Sequence, residues 1–282
     1  MVSVGSKKGI GPVGLLKSTN SYLRSKLNHN LYDSKFCVVS GIGRSGTTIL
    51  RKSLEIHSEI HSTETENNLV YDLLEALDMS INRRSKSIKT SNDQHLRLFK
   101  NLILDTTFPE ANSHSKINTL FCDLRIESFK QLLNIFGDNC KIVYIVRNGV
   151  EVVASRMTKP QFKHFTFEDN CKIWAQSMNV VKSALDSQHF LLLRHENMLN
   201  GEDLTVMYEM LFKHLKVSFQ LDCVEFVNEN FCHPTKLNSE DKQIKSLVNR
   251  KNRWSKFNEK DKETFMDICA DAMDYFGYTI PN

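Results

Sequence analysis

The run Phe36-Cys37-Val38-Val39 leads without a break into Ser40-Gly41-Ile42-Gly43-Arg44-Ser45-Gly46-Thr47-Thr48, and Ile49, Leu50 and Leu54 follow at helical spacing. An apolar run this short, bounded by glycines, reads as a buried strand. A strand that feeds a helix through a tight glycine loop constrains the fold more than any other stretch, because it belongs to sheets covered by helices. It also aims backbone N–H groups and the positive end of a helix at whatever sits in the loop. Gly41 and Gly46 have the spacing of a phosphate-binding loop, whose usual form is G-x-x-x-x-G-K-[ST]. Here Thr47 stands in the lysine position and the cation has moved inside the loop, as Arg44.

The rest of the chain repeats the alternation of short β-type runs and longer helical patterns. Lys141–Val146 and Phe190–Leu193 read as two more buried strands. Helices are expected over Thr47–His57, Val150–Met157, about Leu204–Leu215 and about Glu259–Phe276, the last with Gly277 as its C-cap. A further helix opens at Thr166 with Asp169 as its capping-box partner, and its Cys171, Trp174, Met178, Val181 and Leu185 form a core stripe. The polar stretch 80–100 reads as an exposed loop or lid. The pattern predicts an α/β fold: a P-loop-type three-layer sandwich with a central parallel sheet flanked by helices. With five prolines, eleven glycines and no linker-like tract in 282 residues, 34–282 reads as a single domain. Residues 1–33 carry five Lys/Arg and no acid before Asp33, and read as a flexible basic N-terminal arm.

The glycines let the backbone curl close to an anion. Thr47 and Thr48 add hydroxyl donors, and Arg44 adds a planar, permanently charged fork suited to a tetrahedral oxyanion. A Mg²⁺–ATP enzyme needs acidic metal partners at strand ends. This chain ends its runs in Arg147 and Arg194 instead. The expected ligand is therefore rich in phosphate and free of magnesium. A net charge of +4 suits an anionic ligand without implying nucleic acid. Seven scattered cysteines, with no C-x-x-C pair, read as reduced buried thiols, and no zinc-type spacing exists, so no metal is expected. No stretch approaches the roughly 18 apolar residues of a membrane span. A cytoplasmic protein without stable membrane insertion is expected.

Gly43-Arg44-Ser45-Gly46-Thr47-Thr48, with Leu50 and His57, resembles the 5′-phosphosulfate loop of the sulfotransferase family, in the arginine-bearing bacterial and tyrosylprotein-type branch. That family transfers sulfuryl groups from 3′-phosphoadenosine 5′-phosphosulfate (PAPS), leaving PAP. Tyr144 to Ser155 resembles the family's strand–turn–helix that grips the 3′-phosphate, with Arg147 ending the strand and Ser155 eight residues later. Lys159 resembles an assisting basic position. Leu193-Arg194-His195-Glu196-Asn197 resembles the R-Y-E-D segment with His195 in place of Tyr, and Asn249 to Trp254 with Phe276-Gly277-Tyr278 resembles the C-terminal basic loop and ending. Ile49 stands where cytosolic members carry an adenine-contacting Trp, and the K-x-P segment of many relatives has no counterpart near Cys122–Arg125.

The resemblance implies in-line displacement at sulfur by an acceptor hydroxyl or amine. It makes Arg44, Ser45, Gly46, Thr47, Thr48, Arg147 and Ser155 donor-binding residues, with Arg44 also catalytic. It places the general base on a Glu about 20 residues beyond that arginine. Glu64 is the candidate and Glu66 its reserve, while His57 reads as packing at a helix end and His61 as a weaker base. Glycans, lipids or natural products, and protein tyrosine all remain open as acceptors, as does a homodimer. Two other readings stay open: a degenerate P-loop kinase or nucleotide-binding protein, and a non-catalytic anion-binding member of the fold.

Overall fold

The computed structural model describes residues 35–62, 69–84, 92–107, 117–121, 126–199, 201–230 and 253–280. The basic arm, Glu64 and Glu66, Cys122–Arg125 and 249–252 of the C-terminal basic loop lie outside the described residues. Five strands build one sheet: β1 (Phe36–Ser40), β2 (Ile60–Ser62), β3 (Ile117–Phe121), β4 (Cys140–Val146) and β5 (Phe190–Arg194). Their order is β2-β3-β1-β4-β5 and every pairing is parallel. All of β1 is buried, and β4 is buried at every position but Lys141. Continuous burial is what a parallel sheet covered on both faces demands, and it explains why these strands read as unbroken apolar runs.

The helices are α1 (Thr47–Leu54), α2 (Leu69–Arg84), α3 (Asn92–Thr107), α4 (Ile126–Phe136), α5 (Gly149–Met157), α6 (Phe167–Ala184), α7 (Gly201–Leu215), α8 (Leu221–Asn230) and α9 (Glu259–Tyr275). Side chains alternate across the sheet with period two. Cys37, Val39, Val143 and Ile145 face a core formed with Ile49, Leu50 and Leu54 of α1 and the apolar stripes of α7 and α8. Ser53 of α1 is hydrogen-bonded to the buried Tyr208 hydroxyl of α7, whose pKa is pushed up by burial. On the opposite face Phe36 stacks on Phe136 of α4, Phe129 meets Tyr144 edge-on, and Tyr144 is hydrogen-bonded to Ser177 of α6. Helices thus cover both faces, and the expected three-layer α/β sandwich is what the chain forms.

The capping box at Thr166 is present: its hydroxyl accepts from Asp169 N–H while Asp169 takes the Thr166 N–H. Gly277, at φ 63°, closes α9 with Tyr278 N–H on Met273 O and its own N–H on Asp274 O. The stretch 80–100 is not simply a loop. α2 runs to Arg84 and α3 starts at Asn92; each buries one stripe, Val70, Leu74 and Leu77 in α2 and Lys100 and Ile103 in α3. α1 ends at Leu54 rather than at His57, where the chain turns through His57 N–H on Leu54 O to enter β2.

Strand order decides where a ligand can sit. β1 leads toward β2 on one side of the sheet, and β4 leads to β5 on the other. The two connections therefore part above the carboxyl ends of β1 and β4, and that crevice is where open α/β sheets bind ligands.

Candidate active site

The loop after β1 is shaped by close approaches. A Cβ on Gly41 would lie 2.6 Å from Ile145 O of β4, so only glycine fits between the two strands. Ser45 gives both its N–H (3.0 Å) and its hydroxyl (2.7 Å) to Ile42 O, which closes a turn with Gly43 and Arg44 at its centre. Arg44 sits there at φ 85°, in the left-handed region that side-chain-bearing residues avoid. Gly46, at φ 105°, is the N-cap of α1 and caps it with no side chain. No side chain caps the first N–H groups of α1, and beside them Thr47 is half-buried and Thr48 exposed.

From the other side of the crevice comes Arg147, the residue after β4. Its Nη1 donates to Arg44 O at 2.9 Å and its Nη2 to Glu151 Oε2 at 2.9 Å. Its own carbonyl accepts from Trp174 Nε1 at 3.1 Å, and a Cβ on Gly149 would crowd Trp174 and Phe265 at 3.0 and 3.1 Å. α5 then carries the buried Ser155 back over the loop, where its Oγ accepts from Arg44 Nε at 3.1 Å. The structure thus brings Arg44, Arg147 and Ser155 together, 103 and 111 residues apart in the chain for the two loop contacts.

Arg253 completes the cluster. Its Nη1 lies 3.2 Å from the Glu151 carboxylate that Arg147 also uses, and donates to Glu151 O at 2.8 Å. Burial, and then the nearby charge of Arg253, lower the Arg44 pKa from its ordinary value, yet a guanidinium remains protonated at any physiological pH. Arg147 and Arg253 share the Glu151 carboxylate and Arg44 lies beside them, so these four side chains carry a net positive charge. Such a site favours anions by charge and, through planar forks, by geometry. Glu151 was not singled out by the sequence reading, although its i,i+4 spacing from Arg147 is the signal that points to it.

The remaining motif residues support this centre. Glu196 accepts from Asn148 N–H at 2.8 Å and from the Tyr278 hydroxyl at 3.2 Å, tying the start of α5 to the C-terminal turn. Burial first, and the Glu196 charge second, raise the Tyr278 pKa. The Arg194 guanidinium lies 4.8 Å over the Tyr278 ring. His195 is buried against the loop, 2.6 Å from where a Gly46 Cβ would stand. Lys159 is half-buried at the turn that follows α5. His57 packs at the end of α1 with its ring on Phe212. Its Nδ1 accepts the Glu59 N–H, so its Nε2–H donates to Ser218 O at 2.9 Å. His61 lies on β2, half-buried.

The profile of the sulfotransferase family matches residues 37–221, and the chain belongs to that family. The match spans the loop, Arg147, Ser155 and the 194–197 segment. Among solved structures, the sulfotransferase domain from the curacin biosynthetic pathway superposes with a TM-score of 0.52 at 14% identity, over 88% of this chain and 99% of that one. The sulfotransferase STF9 of Mycobacterium avium gives 0.52 at 10% identity, over 95% and 83%. Mouse sulfotransferase SULT7A1, solved with PAP, gives 0.50 at 16% identity, over 88% of each chain. No curated protein matches the sequence. The chain is a sulfuryl-transferring enzyme, and PAPS is the usual donor of its family. The kinase reading is set aside with that assignment. Among the described residues no group of three or more His, Cys, Asp or Glu can hold a metal ion, and no helix is long and apolar enough to cross a membrane.

Proposed function

We propose that this chain transfers the sulfuryl group of PAPS to a hydroxyl or amine of a glycan, a lipid or natural product, or a protein tyrosine. The observation that carries the reading is the convergence of Arg44, Arg147 and Ser155 on an uncapped helix start at the sheet's switch point. The residues fit such a donor: Gly46 brings no side chain to the helix start, and Arg44, Arg147 and Arg253 outnumber the Glu151 carboxylate that two of them share. PAPS supplies the transferable sulfuryl group. Arg44 and the backbone N–H groups of Gly46, Thr47 and Thr48 hold its 5′-phosphosulfate end, with Ser45 fixing the turn between them. Arg147 and Ser155 hold the 3′-phosphate end. Arg44 is also the group placed to stabilise negative charge as it builds on the sulfuryl oxygens. Glu64 takes the acceptor's proton, with Glu66 as its alternate.

Thermal shift with PAP in the absence of magnesium tests the donor, and transfer of labelled sulfate from PAPS to fractionated glycans, lipids and proteins tests the acceptor. PAP should raise the melting temperature and Mg²⁺–ATP should not. Stabilisation by Mg²⁺–ATP alone would overturn the reading.

A further inference from the structure

α5 presents Ser155 to the loop and, one residue on, sets Arg156 against the loop's other side. Arg156 is only 4% exposed. Its Cζ lies 4.0 Å over the ring of Phe162 and 5.5 Å from the ring of Phe165, and its Nε donates to Asn170 Oδ1 at 2.6 Å. Asn170 is itself buried and tied through Nδ2 to Thr166 O at 2.8 Å, so the capped start of α6 fixes where the guanidinium lies. A Cβ on Gly43 would stand 3.2 Å from both Arg156 Nη1 and Phe162 Cζ. The guanidinium and the ring therefore form a wall against the residue that precedes Arg44.

That wall has a physical task. A left-handed conformation is costly for a residue with a side chain, and persists only where the surroundings over-determine it. Arg44 is held on two sides, its side chain by Ser155 and its carbonyl by Arg147. Arg156 and Phe162 close the third side at Gly43. We infer that Arg156 is a positioning residue that braces the strained Gly43–Arg44 turn and thereby aims the Arg44 guanidinium into the crevice. The aiming rests on the reading of Arg44 as a donor-binding group; the brace stands on geometry alone.

The test uses the full chain with Arg156→Met and, as the variant that keeps charge and stem, Arg156→Lys. Hydrogen–deuterium exchange without ligand reads the turn through the Ser45 amide, which is bonded to Ile42 O, with the α6 amides as reference. PAP titration reads the site. In Arg156→Met the Ser45 amide should exchange about tenfold faster with α6 unchanged, and the PAP dissociation constant should rise about tenfold, with Arg156→Lys between it and the native chain. Unchanged Ser45 exchange, or equal acceleration across α6, would overturn the brace, the latter by showing a purely structural residue. A native chain that fails to bind PAP overturns the donor reading, while the exchange arm still judges the brace.

Discussion

Among the described residues two turns place a long basic residue at positive φ, Arg44 after β1 at 85° and Lys216 after α7 at 57°. Lys216 closes a helix by local bonds: its N–H reaches Lys213 O at 3.2 Å, Val217 N–H reaches Phe212 O at 3.1 Å, and its side chain is exposed. Gly277 performs the same task after α9 without a side chain. Arg44 is held by partners more than a hundred residues away. At a helix end the residue type is incidental to the turn, and glycine would serve as well or better. In the loop the donor-binding role proposed for the side chain gives the strain a reason to be kept. A local rule broken under long-range support is the mark of a functional site.

The largest effect that separates the two turns is on catalysis. Arg44→Ala should lower sulfuryl transfer by about 10²–10³ or more, the range for removing a preorganised donor to developing negative charge. Labelled-PAPS turnover measures it, and a variant that keeps near-native turnover would show that the loop's strain serves something else. Lys216→Ala should leave turnover unchanged. Next in size is the strain itself. Both Arg44→Ala and Arg44→Gly lose the Ser155 contact, but only the glycine variant relaxes the backbone. It should be the more stable of the two by ~1 kcal/mol in denaturant unfolding. Equal stability would mean that the φ of 85° carries no strain.

How much of this was legible follows from the same contrast between local and long-range support. β1 and β4 read clearly because burial on both faces leaves them apolar but for Ser40 and Lys141, and the motif spacings name Arg44, Arg147 and Ser155 directly. β2 has three residues and, among the described residues, pairs with β3 alone, so its sequence Ile60-His61-Ser62 carries no period to detect. α2 and α3 leave apolar residues such as Met79 and Leu98 exposed beside polar ones, which blurs their helical period. In the site, the bridge of Glu151 to Arg253 and the slot of Arg156 depend on contacts across 102 and 14 residues that no local pattern encodes. His195 and Glu196 stand in a recognisable motif, but their work against Gly46 and Asn148 appears only in three dimensions.

The smaller predictions concern the α7 turn. Lys216→Gly should stabilise the protein by ~1 kcal/mol or less, with sulfuryl transfer untouched, because glycine takes positive φ without penalty. A loss of stability would show that the exposed lysine serves the helix end through its charge. Two residues earlier, His214 has its pKa pushed down to about 4, first by burial and then by the Lys141 charge. Its Nε2 is buried without a hydrogen-bond partner among the described residues. The folded chain therefore resists a proton that the unfolded chain accepts near the ordinary histidine value of about 6.5. Stability contributed by neutral His214 is complete above that value and falls as the pH drops toward about 4. His214→Phe removes the titration, so urea unfolding of native and variant chains should diverge between pH 7 and pH 5, with the native chain losing more. Parallel pH profiles would mean that acid acts elsewhere. Because this histidine lies at the end of α7 and not at the crevice, acid is expected to loosen the Lys216 turn and leave the permanently charged Arg44 turn as it is.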